Sequence, residues 1–462
     1  MRTIVKRWLL IPIEIKPREY RSRLLLAMGA VKKGCGVIIG RQGNLQANLS
    51  RYPAGVYFDK SFDGDKAEWF RENIAARNHM ILAGNDEEGL ASEGNEWIYI
   101  HQRHAEEVLG MVRYFFAWGE KEAELIRDRF PTAAEKILAT GNPRVDIWKS
   151  DCKEIYRPIA QRYRRRFGPY ILMPSSFAGA RYGLGQDFIE KEAIRRGILD
   201  TETGRRRAAN GKVFVHESLR RFEEIAVMIA HEFRDHHVII RPHPAENIQA
   251  CAEFARGISN IKVILDGEVT PWILGSRAVV HSFCTTGLEA FLMRHPVIAY
   301  RSLEGYSYAN FLSNRVGIVE KTPEEVIASL REVLRGNYPE DRIWESGRRE
   351  IADNISTLGD GEFAYRKIVE RLVSIEAWKE APLELRMAPK VIESRERIRQ
   401  RLRKRLLGRQ PFIWTDSPYF RQKFPGLTAR ELKRDIEDLS KHTGLPVPRH
   451  VVKVNEVVFA MY

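Results

Sequence analysis

The sequence has no uninterrupted apolar run near the roughly 20 residues that a bilayer-spanning helix needs. Its first apolar stretch, Trp8–Ile13, contains Pro12 and is followed at once by Glu14, so it reads as a first strand rather than a leader or an anchor. Cysteine is scarce: Cys35, Cys152, Cys251 and Cys284 form no CxxC pair for zinc or redox work. Without a secretory leader they are expected to be free thiols in a reducing, cytoplasmic setting. HExxH, a GxxxxGK[ST] phosphate loop and GxGxxG after the first strand are also missing, which removes the usual support for metalloprotease, P-loop NTPase and ordinary dehydrogenase chemistry.

What is present is enough for more than one core. The chain has 462 residues, 44% hydrophobic and 29% charged, which is an ordinary globular composition and too long for a single typical domain. Acidic residues are outnumbered, with 61 Asp and Glu against 75 Lys and Arg and a formal charge of +14, so anionic partners are favoured. The densest basic block lies between Arg395 and Arg405, with Ile398, Leu402 and Leu406 along one face. That pattern predicts a basic helix over 391–410 that suits an anionic membrane surface, hence a peripheral position on the inner face of the cell membrane.

Short apolar runs alternate with helical patterns from the start. Trp8–Ile15, Gly36–Gly40, Gly55–Asp59, His79–Ala83, Tyr114–Trp118 and Ile137–Gly141 read as strands. Tyr20–Val31, Lys66–Ala76 and Glu120–Arg129 read as helices. Alternation of this kind builds a parallel sheet covered on both faces. It restarts with Tyr170–Met173, His237–Ile240, Ile261–Leu265, Ala278–His281 and Val297–Tyr300. The expectation is an α/β protein with two Rossmann-like domains facing across a cleft, residues 1–150 and 168–378, with helices at Pro323–Leu334 and Phe363–Trp378 closing the second. A small basic, mostly helical appendage follows over 379–462, with Thr428–Ser440 as a capped helix. The Gly- and Arg-rich segment between Phe177 and Phe214 is expected to be a mobile loop beside a site.

Three constellations carry chemistry. The first, Val238-Ile-Ile-Arg-Pro-His-Pro-Ala-Glu246, is a buried strand delivering Arg241 and His243 to its carboxyl end, where open parallel sheets place ligands. Two prolines stiffen the turn and hold the imidazole in one orientation, from which it could hydrogen-bond or protonate a departing phosphate; a histidine in a rigid turn satisfied by backbone carbonyls is the structural alternative. The second, His281-Ser-Phe-Cys-Thr-Thr-Gly-Leu-Glu289, ends a strand in a hydroxyl-rich loop that opens a helix, so Thr285, Thr286 and Gly287 are placed to cradle a phosphate; plain capping is the structural alternative. The third, Asn85-Asp-Glu-Glu-Gly89, clusters carboxylates that are expected to raise one another's pKa, as suits a general base; a solvated acidic turn is the alternative. Asp63-Gly-Asp65 has the spacing of a metal-binding DxD but sits before a helix, and reads as capping.

Together, the acidic turn, the His-Pro turn and the paired hydroxyls resemble bacterial sialyltransferases and the related capsule-assembly transferases for the eight-carbon acid Kdo. Arg18–Arg23, Gly55–Ser61, Asn85–Gly89 and Trp118–Arg144 also resemble a group described only as bacterial surface carbohydrate biosynthesis proteins. The resemblance implies the GT-B glycosyltransferase fold, a CMP-linked acidic sugar as donor, a glycan or lipid-linked acceptor and no metal or other cofactor. It implies Glu87 or Glu88 as the base, His243 on the donor phosphate, and Thr285 with Thr286 on the same phosphate; Arg241, Gly287, Ser175, Ser176 and Glu289 complete the donor-binding set. A CDP-glycerol or polyol phosphotransferase of teichoic-acid type uses a similar His-Pro turn and is the alternative, as is a UDP- or GDP-sugar transferase. Nucleic-acid binding rests on the basic helix alone and leaves these motifs unexplained.

Overall fold

The computed structural model describes residues 4–77, 80–90, 96–195, 197–304, 311–383 and 418–462; the basic segment 391–410 lies outside them. The chain divides into two compact units: unit 1 comprises 1–90, 97–155 and 353–462, and unit 2 comprises 91–96 and 156–352.

Unit 1 is built on β2 (Trp8–Ile13), β3 (Gly36–Arg41), β4 (Gly55–Asp59), β5 (Ile81–Gly84), β6 (Val112–Ala117) and β7 (Ile137–Ala139). They run parallel in the order β3-β2-β4-β5-β6-β7. The central strands β2 and β4 are buried at every residue, which is what a parallel sheet covered on both faces requires. Pro12 lies beyond Leu10, the last β2 residue paired with β4, so its missing N–H falls outside that ladder. The chain leaves β2 for β3 on one side and returns to β4 on the other, which puts a switch point between β2 and β4.

The segment expected to be an appendage supplies part of this sheet. β15 (Val451–Asn455) and β16 (Val458–Met461) form a hairpin, and β16 pairs antiparallel with β3. The helix Ala429–Thr443 is capped by Thr428, whose hydroxyl accepts from Glu431 N, as its sequence predicts. It is tied to the first helix, Lys16–Lys32, by Lys16–Glu431 at 2.7 Å. The helix Ala364–Val373, expected in the second lobe, also belongs to unit 1. The buried carboxylate of Asp146 accepts from Ala364 N (3.0 Å) and Tyr365 N (2.8 Å), capping a helix more than two hundred residues later in the chain. A two-stranded ribbon, β1 (Ile4–Lys6) with β14 (Ala381–Leu383), closes the same return.

Unit 2 contains β8 (Tyr170–Pro174), β9 (His237–Arg241), β10 (Ile261–Val263), β11 (Ala278–His281), β12 (Val297–Tyr300) and β13 (Ile318–Glu320). All pair in parallel in the order β10-β9-β8-β11-β12-β13. Numbered within the unit this is 3-2-1-4-5-6, the Rossmann order, with its switch point between β8 and β11. The segment 177–214 is largely helical: Gln186–Arg195, then a helix of 31 residues from Glu202 to Glu232. Among residues 202–213 only Gly204 is buried, so these turns carry no amphipathic period to read. From Phe214 onward the same helix packs Phe222, Ile225 and Ile229 into the unit's core.

Among the described residues no helix is long and apolar enough to cross a membrane.

Candidate functional site

In unit 2 the carboxyl ends of β8, β9 and β11 bring the His-Pro turn, Ser175 and the β11 turn to one sheet edge. The His-Pro turn is organised by a residue that sequence reasoning left unassigned. Glu246 is buried, and its Oε1 accepts from His243 N (3.0 Å) and Phe177 N (3.1 Å). Its Oε2 accepts from Ser175 Oγ (2.7 Å) and Cys251 Sγ (3.3 Å), with Arg181 3.5 Å away. One carboxylate thus ties the loop after β8 to the loop after β9. The available signal was an acidic side chain three residues after His243, within reach of that turn's backbone donors.

His243 itself is exposed. Its Nδ1 accepts from Ala245 N at 3.1 Å; a backbone N–H can only donate, so the neutral ring carries its proton on Nε2. The turn therefore presents an imidazole N–H of fixed tautomer. Arg241 is directed elsewhere: its guanidinium donates to the carbonyls of Asp266 (2.8 Å) and Gly267 (2.5 Å) and lies 5.9 Å from the Trp272 ring centre. Burial lowers it to about 10. In this structure it clamps the loop after β10, and Trp272 Nε1 donates to the same Asp266 carbonyl at 2.8 Å.

The turn from β11 into the helix Thr285–Leu292 is strained. Phe283 has φ 41°, the left-handed region that a bulky residue rarely adopts. Three rings hold it there, with centroids at 5.3 Å (Phe177), 5.2 Å (Phe214) and 5.9 Å (Phe311); its N–H donates to Asn314 Oδ1 at 2.8 Å. Thr285 is exposed and Thr286 buried. Gly287 is required by close approach, since a Cβ there would lie 2.0 Å from His281 Nε2. His281 is wholly buried, and burial lowers it to about 3, so it is neutral. Glu289 is buried on the same helix, and its charge acts on Arg241. Ser175 is buried with its hydroxyl on Glu246, while Ser176 is partly exposed.

In unit 1 the acidic turn follows β5 and is enclosed by arginines. Glu87 is buried beside Arg23 (2.6 Å). Arg103 Nε is 2.5 Å from Asp86 Oδ2. Glu88, with its side chain 49% exposed, meets Arg18 at 2.7 Å and Arg103 at 2.9 Å. Arg144 donates to the Glu87 carbonyl at 3.0 Å. The expectation of mutually raised carboxylates is reversed at Glu88, where the Arg18 guanidinium, then that of Arg103, holds the carboxyl well below its ordinary range. The raised group in this neighbourhood is Glu122. Burial, then the charge of Asp86, pushes it well up; its Oε2 accepts from Trp118 N at 2.6 Å and its Oε1 bonds Tyr99 Oη. A Cβ at Gly89 would lie 2.5 Å from Glu122 Oε1, so the turn rests directly on this carboxyl. Arg18 and Arg144 fall within segments the sequence marks; Arg103, on a separate helix, carries no local signal. Asp63 precedes the short 3-10 turn Gly64–Lys66 without a side-chain capping bond.

No family model matches the sequence, and no curated protein matches it. Solved structures do resemble the chain. One is a protein from Listeria monocytogenes described as a UDP-N-acetylglucosamine 2-epimerase: TM-score 0.49, 14% identity, covering 80% of this chain and 96% of that one. A second is the UDP-GlcNAc 2-epimerase of Neisseria meningitidis bound to UDP-GlcNAc, at TM-score 0.47 and 14% identity over 79% of this chain and 99% of the other. A third is a variant of the wall teichoic acid polymerase TagF soaked with CDPG, at TM-score 0.47 and 11% identity over 79% and 88%.

Proposed function

We propose that the chain is a glycosyltransferase of bacterial surface polysaccharide synthesis. Unit 2 binds a nucleotide-activated donor at its sheet edge, and the acidic turn of unit 1 carries the candidate base. The observation that carries this reading is the switch point of unit 2. There a hydroxyl-bearing helix start and an imidazole whose tautomer is set by Ala245 N, on a turn tied through its backbone to Glu246, lie at the carboxyl-end edge of a sheet in the Rossmann order. An Nε2–H and a helix N-terminus suit a departing phosphate, because both are donors placed before charge develops. The donor we favour is a CMP-linked acidic sugar, on the resemblance of the motifs.

Glu88 is the base in this reading, since Glu87 is buried against Arg23 while Glu88 is half exposed. Its depressed pKa keeps it ionised. An anionic acceptor that draws Arg18 or Arg103 away would strengthen it as a base.

Thermal stabilisation by CMP, CDP, UDP and GDP, with and without magnesium, tests the proposal on the wild-type protein and on His243→Ala. Selective, magnesium-independent stabilisation by CMP, weakened in the variant, is expected. Preference for CDP points instead to a polyol phosphotransferase and UDP or GDP to a neutral-sugar transferase; no response to any nucleotide overturns the catalytic reading.

A further inference from the structure

Buried polar groups without a hydrogen-bond partner are few in native proteins, and each calls for a reason. Among the described residues the buried serine hydroxyls in that state are Ser282 and Ser313, both in unit 2. Ser282 is 4% exposed and follows β11; Ser313 is 3% exposed and lies in the short helical turn Leu312–Arg315. The Phe283 N–H to Asn314 Oδ1 bond of 2.8 Å joins the residue after one to the residue after the other. Both ring nitrogens of wholly buried His281, immediately before Ser282, are orphaned as well.

These orphans gather where the chain is also strained, at Phe283, and where a helix of eight residues begins at Thr285. Strain and unsatisfied polarity at one turn are both unfavourable in the free protein, and a bound group that supplies the missing partners explains the unsatisfied polarity. The helix start favours an anion. Hydroxyls suit one too, donating through a rotatable O–H while adding no charge of their own.

We infer that Ser282 and Ser313 form a second pair of phosphate ligands, beyond Thr285 and Thr286, making the β11 turn a cradle for the donor's phosphate. This rests on the proposed function and deepens it. Ser313 belongs to a different segment than β11, joined to the β11 turn through Asn314, so a cradle that includes it is assembled by the tertiary fold and is not a local capping motif.

Removing either hydroxyl has opposite effects on stability and on binding, a combination that a purely structural serine does not give. In Ser282→Ala and Ser313→Ala the free protein loses an orphaned buried group, so its melting temperature is expected to rise by roughly 2 °C or more. Affinity for CMP, and for inorganic pyrophosphate used as a minimal probe, is expected to fall roughly 3- to 10-fold per hydroxyl in calorimetric titration. A variant that is more stable yet binds both probes like wild type overturns the cradle. So does a variant with a lowered melting temperature, which shows that the hydroxyl had a structural partner. A wild-type protein that binds neither probe instead overturns the proposed function, and the cradle with it.

Discussion

Removal of the Glu246 carboxylate should uncouple the His-Pro turn from the sheet edge. In Glu246→Ala the N–H groups of His243 and Phe177, the Ser175 hydroxyl and the Cys251 thiol lose their common acceptor. Arg181, 3.5 Å away, keeps Glu223 at 2.6 Å, so its charge is not left alone. A bond to a charged acceptor contributes about 1.5–3 kcal/mol, and a thiol bond less. Solvent reaching the exposed His243 side of the loop restores part of the loss, which leaves a destabilisation of about 3–5 kcal/mol, a large fraction of the 5–15 kcal/mol typical of a domain. In Glu246→Gln one oxygen still accepts from the two backbone N–H groups while Ser175 rotates to accept from the amide, so about 1–2 kcal/mol is expected. Urea unfolding followed by tryptophan fluorescence reads the order wild type, Gln, Ala, and titration with CMP should show the Gln variant bound more weakly because the imidazole is less well held. An Ala variant within 1 kcal/mol of wild type, with unchanged CMP affinity, would refute the reasoning.

Glu122→Gln mimics the neutral acid, its carbonyl accepting from Trp118 N and its amide facing Tyr99. Because the folded carboxyl titrates above its unfolded value of 4.5, wild-type stability falls as pH rises from about 4.5 toward the raised value, and that decline should be absent from the Gln variant; parallel stability–pH curves contradict this. His281 is lowered from 6.5 to about 3, so stability is lost as pH falls below 6.5, by about 2–3 kcal/mol at pH 4.5 at 1.36 kcal/mol per pKa unit. His281→Leu removes that loss, and its chemical-denaturation midpoint should change less between pH 7 and pH 4.5 than that of wild type; an equal change refutes the assignment. Arg18→Met should let the Glu88 carboxyl return toward its ordinary range, read by carbon NMR of labelled glutamate, and an unmoved titration would show that Arg18 does not hold it down.

The two alternating α/β patterns were legible because parallel strands buried on both faces carry unbroken apolar runs, such as Trp8–Ile11 and Ala278–Val280, and the candidate motifs stood out because they follow such runs closely. Long-range returns were not legible. Nothing local in Phe363–Trp378 says that Asp146 caps the helix beginning at Ala364, and Val458–Met461 announces a strand but not its antiparallel pairing with β3. The helix from Glu202 hid for the opposite reason: its exposed first turns have no apolar face. At the site, sequence supplied residue types and the fold supplied their partners. Glu88 is depressed because Arg18 and Arg103 converge on its turn from two helices, and Arg241 is turned to the Asp266 and Gly267 carbonyls of the loop after β10.

The central claim is that unit 2 binds a nucleotide phosphate at its switch point, and a crystal structure of the chain with CMP tests it most directly. The account predicts phosphate oxygens within hydrogen-bond distance of His243 Nε2 and of the Ser282–Thr286 turn. CMP bound away from the carboxyl ends of β8, β9 and β11, or no bound nucleotide at saturating concentration, would contradict it.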